Sequence, residues 1–205
     1  KSGVFYKLQQ KVMEILLNWD TQLLVWINSL HTSFLDILMI WISDRFFLIP
    51  FYALILYILY KKNPRELPII LLSSIVLILL IDQGSVHLFK NVFERLRPCH
   101  TPNIQNLLHL PNGCGGQYGF ISSHAANSFG LATFITLLLR KKYSFFKYGG
   151  MYAWAFLLAY SRVYLGAHYP SDVIVGALFG FVVAYVVYLG YFKLSQYYID
   201  RKYKK

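Results

Sequence analysis

Cationic side chains recur near the ends of the apolar segments of this chain. Lys90 and Arg97 are seven residues apart, so on a helix they would project from one face. Arg162 lies at the end of another apolar run. Three such cations can neutralise a phosphate group and the negative charge that grows on its equatorial oxygens during transfer. We therefore expect Lys90, Arg97 and Arg162 to bind phosphate.

Two histidines, His124 and His168, suit a phosphoryl transfer in two steps. One imidazole can attack phosphorus, while the other protonates the departing oxygen and later activates water. Asp172 follows His168 by four residues and can accept its second ring N–H, which fixes the tautomer. Backbone N–H groups from Ser122 to His124, at the predicted start of a helix, can also bind an anion. No cluster of Asp, Glu and His has metal-ligand spacing, so we expect neither a metal nor another cofactor.

Long apolar runs must position these groups. The 205 residues are 57% hydrophobic and 14% charged, against roughly 25% charged in soluble domains. The runs lie at Phe46–Tyr60, Leu67–Ile81, Ala125–Leu139, Met151–Tyr160 and Val173–Phe192. Several approach the roughly 20 residues that cross a bilayer core. A soluble all-α core of this size would need more amphipathic helices to cover it. We therefore predict an all-α integral membrane helical bundle of five to six transmembrane helices, with N-terminal interfacial helices.

The chain divides into three predicted regions. Residues 1–32 form two amphipathic helices at the membrane interface, the second of which is capped by Asp20. Residues 33–192 form the transmembrane catalytic domain, and residues 193–205 form a basic cytoplasmic tail. The spans are predicted at residues 33–60, 68–97, 123–140, 145–164 and 170–191. A sixth span arises if residues 21–43 cross the membrane.

The basic residues indicate how the chain is oriented in the membrane. The sequence has 20 Lys and Arg against 9 Asp and Glu, a net charge of +11. Most of the basic residues form three clusters that each follow an apolar run: Lys61, Lys62 and Arg65; Arg140, Lys141, Lys142 and Lys147; and Lys193, Arg201, Lys202, Lys204 and Lys205. Such clusters mark cytoplasmic segments, so the loops Pro98–Ser122 and Tyr164–Pro170 lie on the outer face. The charge pattern therefore points to a bilayer and not to nucleic acid as the partner.

Three motifs contain the candidate residues. Lys90–Pro98 is KNVFERLRP, of the form KxxxxxxRP, and Ser161–Asp172 is SRVYLGAHYPSD, of the form SRxxxxxHxxxD. Between them, Ile121–His124 is ISSH. Over residues 33–192 the chain resembles the type 2 phosphatidic acid phosphatase (PAP2) superfamily, in which the middle motif is PSGH. The order of the three motifs, with spans in the matching places, makes this resemblance specific.

The resemblance implies a role for each matching residue. His168 is the expected nucleophile, His124 the general acid, and Asp172 the partner that orients His168. The implied phosphate ligands are Lys90, Arg97, Ser122, Ser123 and Arg162. Ser123 stands where the family has a glycine whose backbone N–H contacts phosphate, and serine keeps that N–H while adding bulk. Ile121 replaces the proline and alters only the entry to the helix.

The sequence thus predicts a phosphatase that acts on a lipid phosphate or diphosphate through a phosphohistidine at the outer membrane face. The small bacterial proteins that the chain resembles imply the bacterial inner membrane, with the site on the periplasmic side. The outer loop Pro98–Ser122 has no acidic residue and only His100 and His109 as further cations. This composition favours the compact headgroup of undecaprenyl diphosphate, with lipid A, phosphatidylglycerophosphate and phosphatidate as alternatives.

Two other classes of protein could use such a basic cluster. An anion transporter would need ionisable residues near the bilayer midplane and an inverted repeat, and neither is evident in the sequence. The vanadium haloperoxidases share the phosphate-site residues, but they are soluble and larger. A membrane phosphatase therefore fits the sequence better than either class.

Two further expectations concern the outer side of the membrane. Cys99 and Cys114 both lie in the outer loop, where an oxidising compartment would join them in a disulfide; two free thiols are the alternative. Glu94 and Arg95 are expected to face solvent or lipid headgroups.

Overall fold

The computed structural model describes residues 2–44, 46–147 and 149–203. Most of them form α-helices: α1 Ser2–Ser29, α2 Ser33–Ser43, α3 Ile49–Lys62, α4 Leu67–Gly84, α5 Asn91–Phe93, α6 Ser123–Leu139, α7 Ser144–Lys147, α8 Gly150–Tyr164 and α9 Pro170–Tyr203. A π-helical turn, Ser85–Lys90, joins α4 to α5, and 3₁₀ turns lie at Pro98–His100 and Gln105–Leu107. These residues contain no β-strand, and the all-α prediction is confirmed.

Among the described residues, two helical segments are long and apolar enough to cross a membrane: Leu67–Phe93, which contains α4 and α5, and Pro170–Tyr198 within α9. The helices α1 and α2 meet this criterion only as a pair bent by 116°, and α6 is a shorter apolar helix. On α9, the apolar side chains Ile174, Leu178, Val182 and Val186 recur every four residues and are exposed, as contact with lipid tails requires. The integral membrane bundle is therefore confirmed, while the count of five to six spans stays a prediction.

The helix α6 lies at the centre of the bundle, in contact with α4, α8 and α9. Small residues let α9 approach it closely. A Cβ atom at Gly176 would lie 2.6 Å from the carbonyl oxygen of Ser122, and one at Gly180 would overlap the backbone of Ala126. Packing through small residues is typical of membrane helices. It brings the start of α6 against the start of α9, where Asp172 lies.

The basic clusters gather at one end of the bundle. The Lys142 ammonium group donates to the carbonyl oxygen of Lys62 at 2.9 Å and to the Asn63 side chain at 2.6 Å. Ser195 of α9 donates to Glu66 at 2.8 Å, so the third cluster begins near the same end. The predicted site residues lie at the opposite ends of α4, α6 and α9. This separation agrees with the orientation inferred from charge, and the side of the membrane that each end faces stays a prediction.

The single long helix predicted over residues 33–60 is wrong. The helix α2 ends at Ser43, and Asp44 Oδ1 accepts hydrogen bonds from the backbone N–H groups of Phe46 and Phe47 at 2.7 and 2.9 Å. Such a side-chain bond to the backbone offers the chain an alternative to helix. Pro50 then occupies the first turn of α3, where its missing N–H costs nothing. The run of apolar residues conceals this break.

Other helix boundaries also differ from the predicted ones. Residues 2–29 form one continuous helix instead of two. The Asp20 side chain, predicted to cap the second helix, accepts a hydrogen bond from the distant Ser171 instead. The span that contains Lys90 ends at Phe93, since Glu94 adopts the left-handed conformation with φ 44°. The predicted helix 145–164 divides into α7 and α8 at Gly149, where φ is 87°. The helix α9 continues to Tyr203, and Lys204 and Lys205 lie outside the described residues.

Candidate active site

Lys90 is the last residue of the π-helical turn that follows α4. Such wide turns are frequent at functional sites. Lys90 Nζ donates to Ser123 Oγ at 2.8 Å, and Ser123 Oγ lies 2.8 Å from Ser85 Oγ. One ammonium proton is thus engaged, which leaves two for an anion. The hydroxyl group of Ser123, which stands where related motifs have glycine, therefore helps to hold the lysine.

The N-terminus of α6 forms the second part of the site. Ser122 is its N-cap, and the Ser122 Oγ atom accepts a hydrogen bond from the backbone N–H of Ala125 at 3.4 Å. The backbone N–H of Ser122 donates to the carbonyl oxygen of Asp172 at 3.0 Å, which ties the start of α6 to the start of α9. Ser122 is buried, whereas His124 is exposed in a cavity. The Ser122 N–H, which the sequence offered as an anion donor, is thus engaged, and the backbone N–H groups of Ser123 and His124 in the first turn can bind an anion.

His168 lies in the turn between α8 and α9, and it is 1% exposed. Its Nδ1 atom faces Asp172 Oδ2 at 3.5 Å, which is long for a hydrogen bond but close enough for electrostatic attraction. Burial holds the pKa of His168 well below its ordinary value, and the charges of Arg97, Arg162 and Lys90 act in the same direction. The imidazole is therefore neutral at neutral pH. A proton on Nδ1, on the side of Asp172, would leave the lone pair of the ring on Nε2.

Arg97 and Arg162 contribute two guanidinium groups. The backbone N–H of Arg97 donates to the carbonyl oxygen of Gln117 at 2.9 Å, and its Nε donates to that of Tyr118 at 3.4 Å. Arg162 donates through Nη1 to Ser43 Oγ, and among the described residues its buried Nε has no hydrogen-bond partner. Buried donors in proteins are usually paired. A phosphate oxygen would provide the partner that Arg162 Nε lacks.

Two cavities open on His124. One has a volume of about 340 Å³, and its lining includes the polar residues Asp44, Asn112 and Arg162. We call this cavity the polar mouth. The other has a volume of about 700 Å³ and extends between α3, α4, α6 and α8, with Leu48, Tyr52, Ile78, Leu131 and Leu158 in its lining. We call it the apolar chamber. Because His124 borders both, its ring can reach an oxygen that links a phosphate to a lipid.

The structure brings the predicted site residues to one end of the bundle. They are Lys90, Arg97, Ser122, Ser123, His124, Arg162, His168 and Asp172. The charges of Lys90, Arg97 and Arg162 all act on the buried imidazole of His168, and the imidazole of His124 borders the apolar chamber. This arrangement can bind a phosphate ester and transfer its phosphoryl group from a lipid. The individual roles of these residues stay predictions.

The sequence did not indicate the residues that surround Asp172. The expectation that Arg95 faces solvent or headgroups is wrong. Arg95 Nη1 donates to Asp172 Oδ1 at 2.7 Å, and Arg95 Nη2 donates to Asp20 Oδ2 at 2.6 Å. The backbone N–H of Ser171 donates to Asp20 Oδ1 at 2.8 Å. Asp20 and Arg95 are 75 residues apart, so no local spacing could have revealed the pair.

Cys99 and Cys114 form the expected disulfide, with their Cα atoms 5.9 Å apart. Closing a loop of this size contributes roughly 3 kcal/mol in the chain-entropy model. His100 lies beside the disulfide, with its Nε2 atom 3.4 Å from Cys114 Sγ. The disulfide therefore restrains the outer loop that begins just after Arg97.

Similar proteins are known. A model of the PAP2 superfamily matches residues 67–196. A protein of Bacteroides thetaiotaomicron named lipid A 4'-phosphatase is 39% identical over 188 residues, which are 90% of this chain and 82% of that protein. A lipid A 4'-phosphatase of Porphyromonas gingivalis is 33% identical over 87% of this chain and 75% of that protein. An undecaprenyl-diphosphatase of Sulfolobus acidocaldarius is 31% identical over 83% of this chain and 77% of that protein.

The fold is also shared with a solved structure. The transmembrane PAP2-type phosphatidylglycerolphosphate phosphatase of Bacillus subtilis superposes with a TM-score of 0.61 over 84% of both chains, at 23% identity. That identity shows a common fold alone. The family model and the relatives match this chain in sequence as well, the relatives over most of both chains. The chain therefore belongs to the PAP2 superfamily, and it is an integral membrane lipid phosphatase.

Proposed function

We propose that this protein removes a phosphate from lipid A, or from a closely similar phosphorylated glycolipid, at the outer face of the bacterial inner membrane. The observation that carries the choice of substrate is the polar mouth at His124, to which Asp44 and Asn112 contribute. A sugar that carries hydroxyl groups needs such polar partners near the scissile bond. Asp44 comes from the end of α2, so the N-terminal half supplies a group that the outer loop lacks. The two relatives named lipid A 4'-phosphatase support the same substrate.

In the proposed mechanism, Nε2 of His168 attacks phosphorus in line with the ester oxygen of the lipid. The bond between phosphorus and that oxygen breaks, and the oxygen takes a proton from His124. The products of this step are a phosphohistidine and a free lipid alcohol. His124, now neutral, removes a proton from water, which attacks the phosphohistidine and releases inorganic phosphate. Asp172 stabilises the positive charge that the His168 ring carries while it is phosphorylated.

The charge that develops on the phosphoryl oxygens is stabilised by the protein itself. Lys90, Arg97 and Arg162 supply three positive charges, and the first turn of α6 supplies backbone N–H groups. We propose that these groups suffice and that the reaction uses no metal. Residues 33–192 then form the catalytic domain, and the basic tail at 193–205 lies on the cytoplasmic side.

Undecaprenyl diphosphate is the second candidate substrate. The sequence favours it because three cations match a compact diphosphate headgroup, and the relative from Sulfolobus acidocaldarius carries that activity in its name. The apolar chamber could hold a polyprenyl chain as well as an acyl chain. A diphosphate headgroup, however, has no sugar hydroxyls that the polar mouth could bind, and this difference favours lipid A.

The two substrates can be compared directly in detergent micelles. Farnesyl diphosphate, a shorter polyprenyl diphosphate, represents undecaprenyl diphosphate in this comparison. We expect faster phosphate release from lipid A than from farnesyl diphosphate at equal surface concentration. Asn112→Ala should slow release from lipid A and leave farnesyl diphosphate unaffected. Asn106→Ala, an exposed change in the same outer loop, serves as the matched control. Faster release from farnesyl diphosphate would overturn the lipid A assignment and leave the lipid phosphatase activity in place.

A further inference from the structure

The side chain of Arg95 bridges two carboxylates that lie far apart in the sequence. Its Nη1 atom is 2.7 Å from Asp172 Oδ1, and its Nη2 atom is 2.6 Å from Asp20 Oδ2. The Asp172 side chain is fully buried and that of Asp20 is 9% exposed, whereas that of Arg95 is 22% exposed. Arginine presents its donors in a planar fork, so one guanidinium group can hold two acceptors in a defined orientation. Both bonds are short enough to be charge-assisted hydrogen bonds.

The bond to Arg95 determines which way the Asp172 carboxylate points. Asp172 Oδ1 accepts from Arg95, while Oδ2 accepts from the backbone N–H of Tyr169 at 3.1 Å and faces His168 Nδ1 at 3.5 Å. Without Arg95, the backbone N–H of Tyr169 would be the one hydrogen-bond donor to the carboxylate among the described residues. Rotation of the carboxylate would then carry Oδ2 away from His168. The contact between Asp172 and His168 is already long, so little rotation is needed to lose it.

Asp20 in turn holds Arg95 and the turn that carries His168. The backbone N–H and the hydroxyl group of Ser171 both donate to Asp20, at 2.8 and 2.5 Å. The Arg95 guanidinium group also stacks over the ring of Tyr169, 4.0 Å from its centroid. Asp20 belongs to α1, a helix whose side chains are mostly exposed. Asp20 thus connects α1 to the groups that hold the proposed nucleophile, His168, in place.

We propose that Arg95 is a positioning residue of the reaction, which orients Asp172 toward His168, and that Asp20 makes α1 part of the active site. The inference rests on the proposed function, in which His168 is the nucleophile. Arg95 does not touch the phosphate in this proposal. Its loss should therefore slow the attack by His168 while leaving the phosphate ligands in place. Removing a residue that orients a metal-ligating histidine costs about 10- to 100-fold, and we expect a loss of the same order here.

The test separates the attack on phosphorus from phosphate binding. The rate of phosphohistidine formation is measured by rapid quench with a radiolabelled aryl phosphate, and binding is measured as competitive inhibition by inorganic phosphate, which needs no attack by His168. Arg95→Ala should slow phosphohistidine formation about 10- to 100-fold and leave the inhibition constant of inorganic phosphate unchanged. Free guanidinium should restore part of the rate, since a cavity of about 590 Å³ borders Arg95 and Asp20. Arg140→Ala, an exposed arginine at the other end of the bundle, is the matched control.

A second pair of variants tests Asp20. Asp20→Asn should cause a smaller loss than Arg95→Ala, and the loss of activation free energy in the double variant should be less than the sum of the two single losses, because part of the effect of Asp20 passes through Arg95. If Arg95→Ala does not fold, Arg95→Lys replaces it, since lysine keeps the charge but cannot bridge both carboxylates.

Three results would overturn the inference: an undiminished rate in the Arg95 variant, an equal loss of affinity for inorganic phosphate that guanidinium does not rescue, or fully additive losses in the double variant. Phosphatase activity that survives in His168→Ala would instead contradict the proposed function.

Discussion

Replacing His124 by alanine should slow the release of a lipid alcohol far more than the release of a good leaving group. The exposed ring of His124 borders the apolar chamber and the polar mouth, where a leaving oxygen would lie. A sugar alkoxide is a poor leaving group and needs the proton, whereas nitrophenolate leaves without one. General acid catalysis contributes about 10²- to 10⁴-fold. That range corresponds to roughly 3 to 5 kcal/mol of transition-state stabilisation.

The two half-reactions can be separated in a single-turnover assay. With p-nitrophenyl phosphate, His124→Ala should still release nitrophenol in a burst, because the attack by His168 needs no acid. Turnover should then stall at the phosphohistidine, because no base activates water. With lipid A, the same variant should show no burst. Equal losses of the first step with both substrates would refute the assignment of His124 as the acid.

Four other outcomes are expected. Asp172→Asn should slow phosphohistidine formation about 10- to 100-fold in rapid-quench experiments, less than His168→Ala, because the nucleophile remains; equal losses would contradict an orienting role. Phosphate release should survive EDTA, since side chains supply the positive charge, and a complete loss that zinc or magnesium reverses would contradict the metal-free mechanism. Protonation of His168 removes the lone pair that attacks phosphorus, and burial lowers the pKa of this residue. After correction for ionisation of the substrate, the rate should therefore fall only at a pH well below about 6.5, the ordinary pKa of histidine. A fall near that ordinary value would contradict the burial of His168. A cysteine at position 63 should be labelled only from the cytoplasm and one at position 106 only from outside, and the reverse pattern would invert the orientation.

The sequence could predict that the candidate site residues gather at one end of the bundle because of where their polar groups lie along the chain. Each group stands at the end of an apolar run, and a membrane sets the ends of such runs at the same level. Lys90, Ser122 and His168 therefore had to meet if their segments crossed the bilayer. The structure places these residues at one end of the bundle, as this reasoning predicts.

The sequence could not reveal features that depend on contacts between distant residues. The hydrogen bond between Asp20 and Arg95 joins two polar residues in segments that look like surface helices. The break after Ser43 depends on Asp44, whose side chain captures two backbone N–H groups within an otherwise apolar run. In both cases the local sequence pattern predicted a different structure, because the hydrogen bonds that decide it form only in the folded chain.

The most direct test of the proposed mechanism is the identification of the phosphorylated residue. The purified protein is mixed with a radiolabelled aryl phosphate, quenched in alkali, digested and examined by mass spectrometry. We predict an acid-labile phosphate on His168, which accumulates in His124→Ala and is absent from His168→Ala. Phosphate on another residue, or full turnover by His168→Ala, would contradict the mechanism.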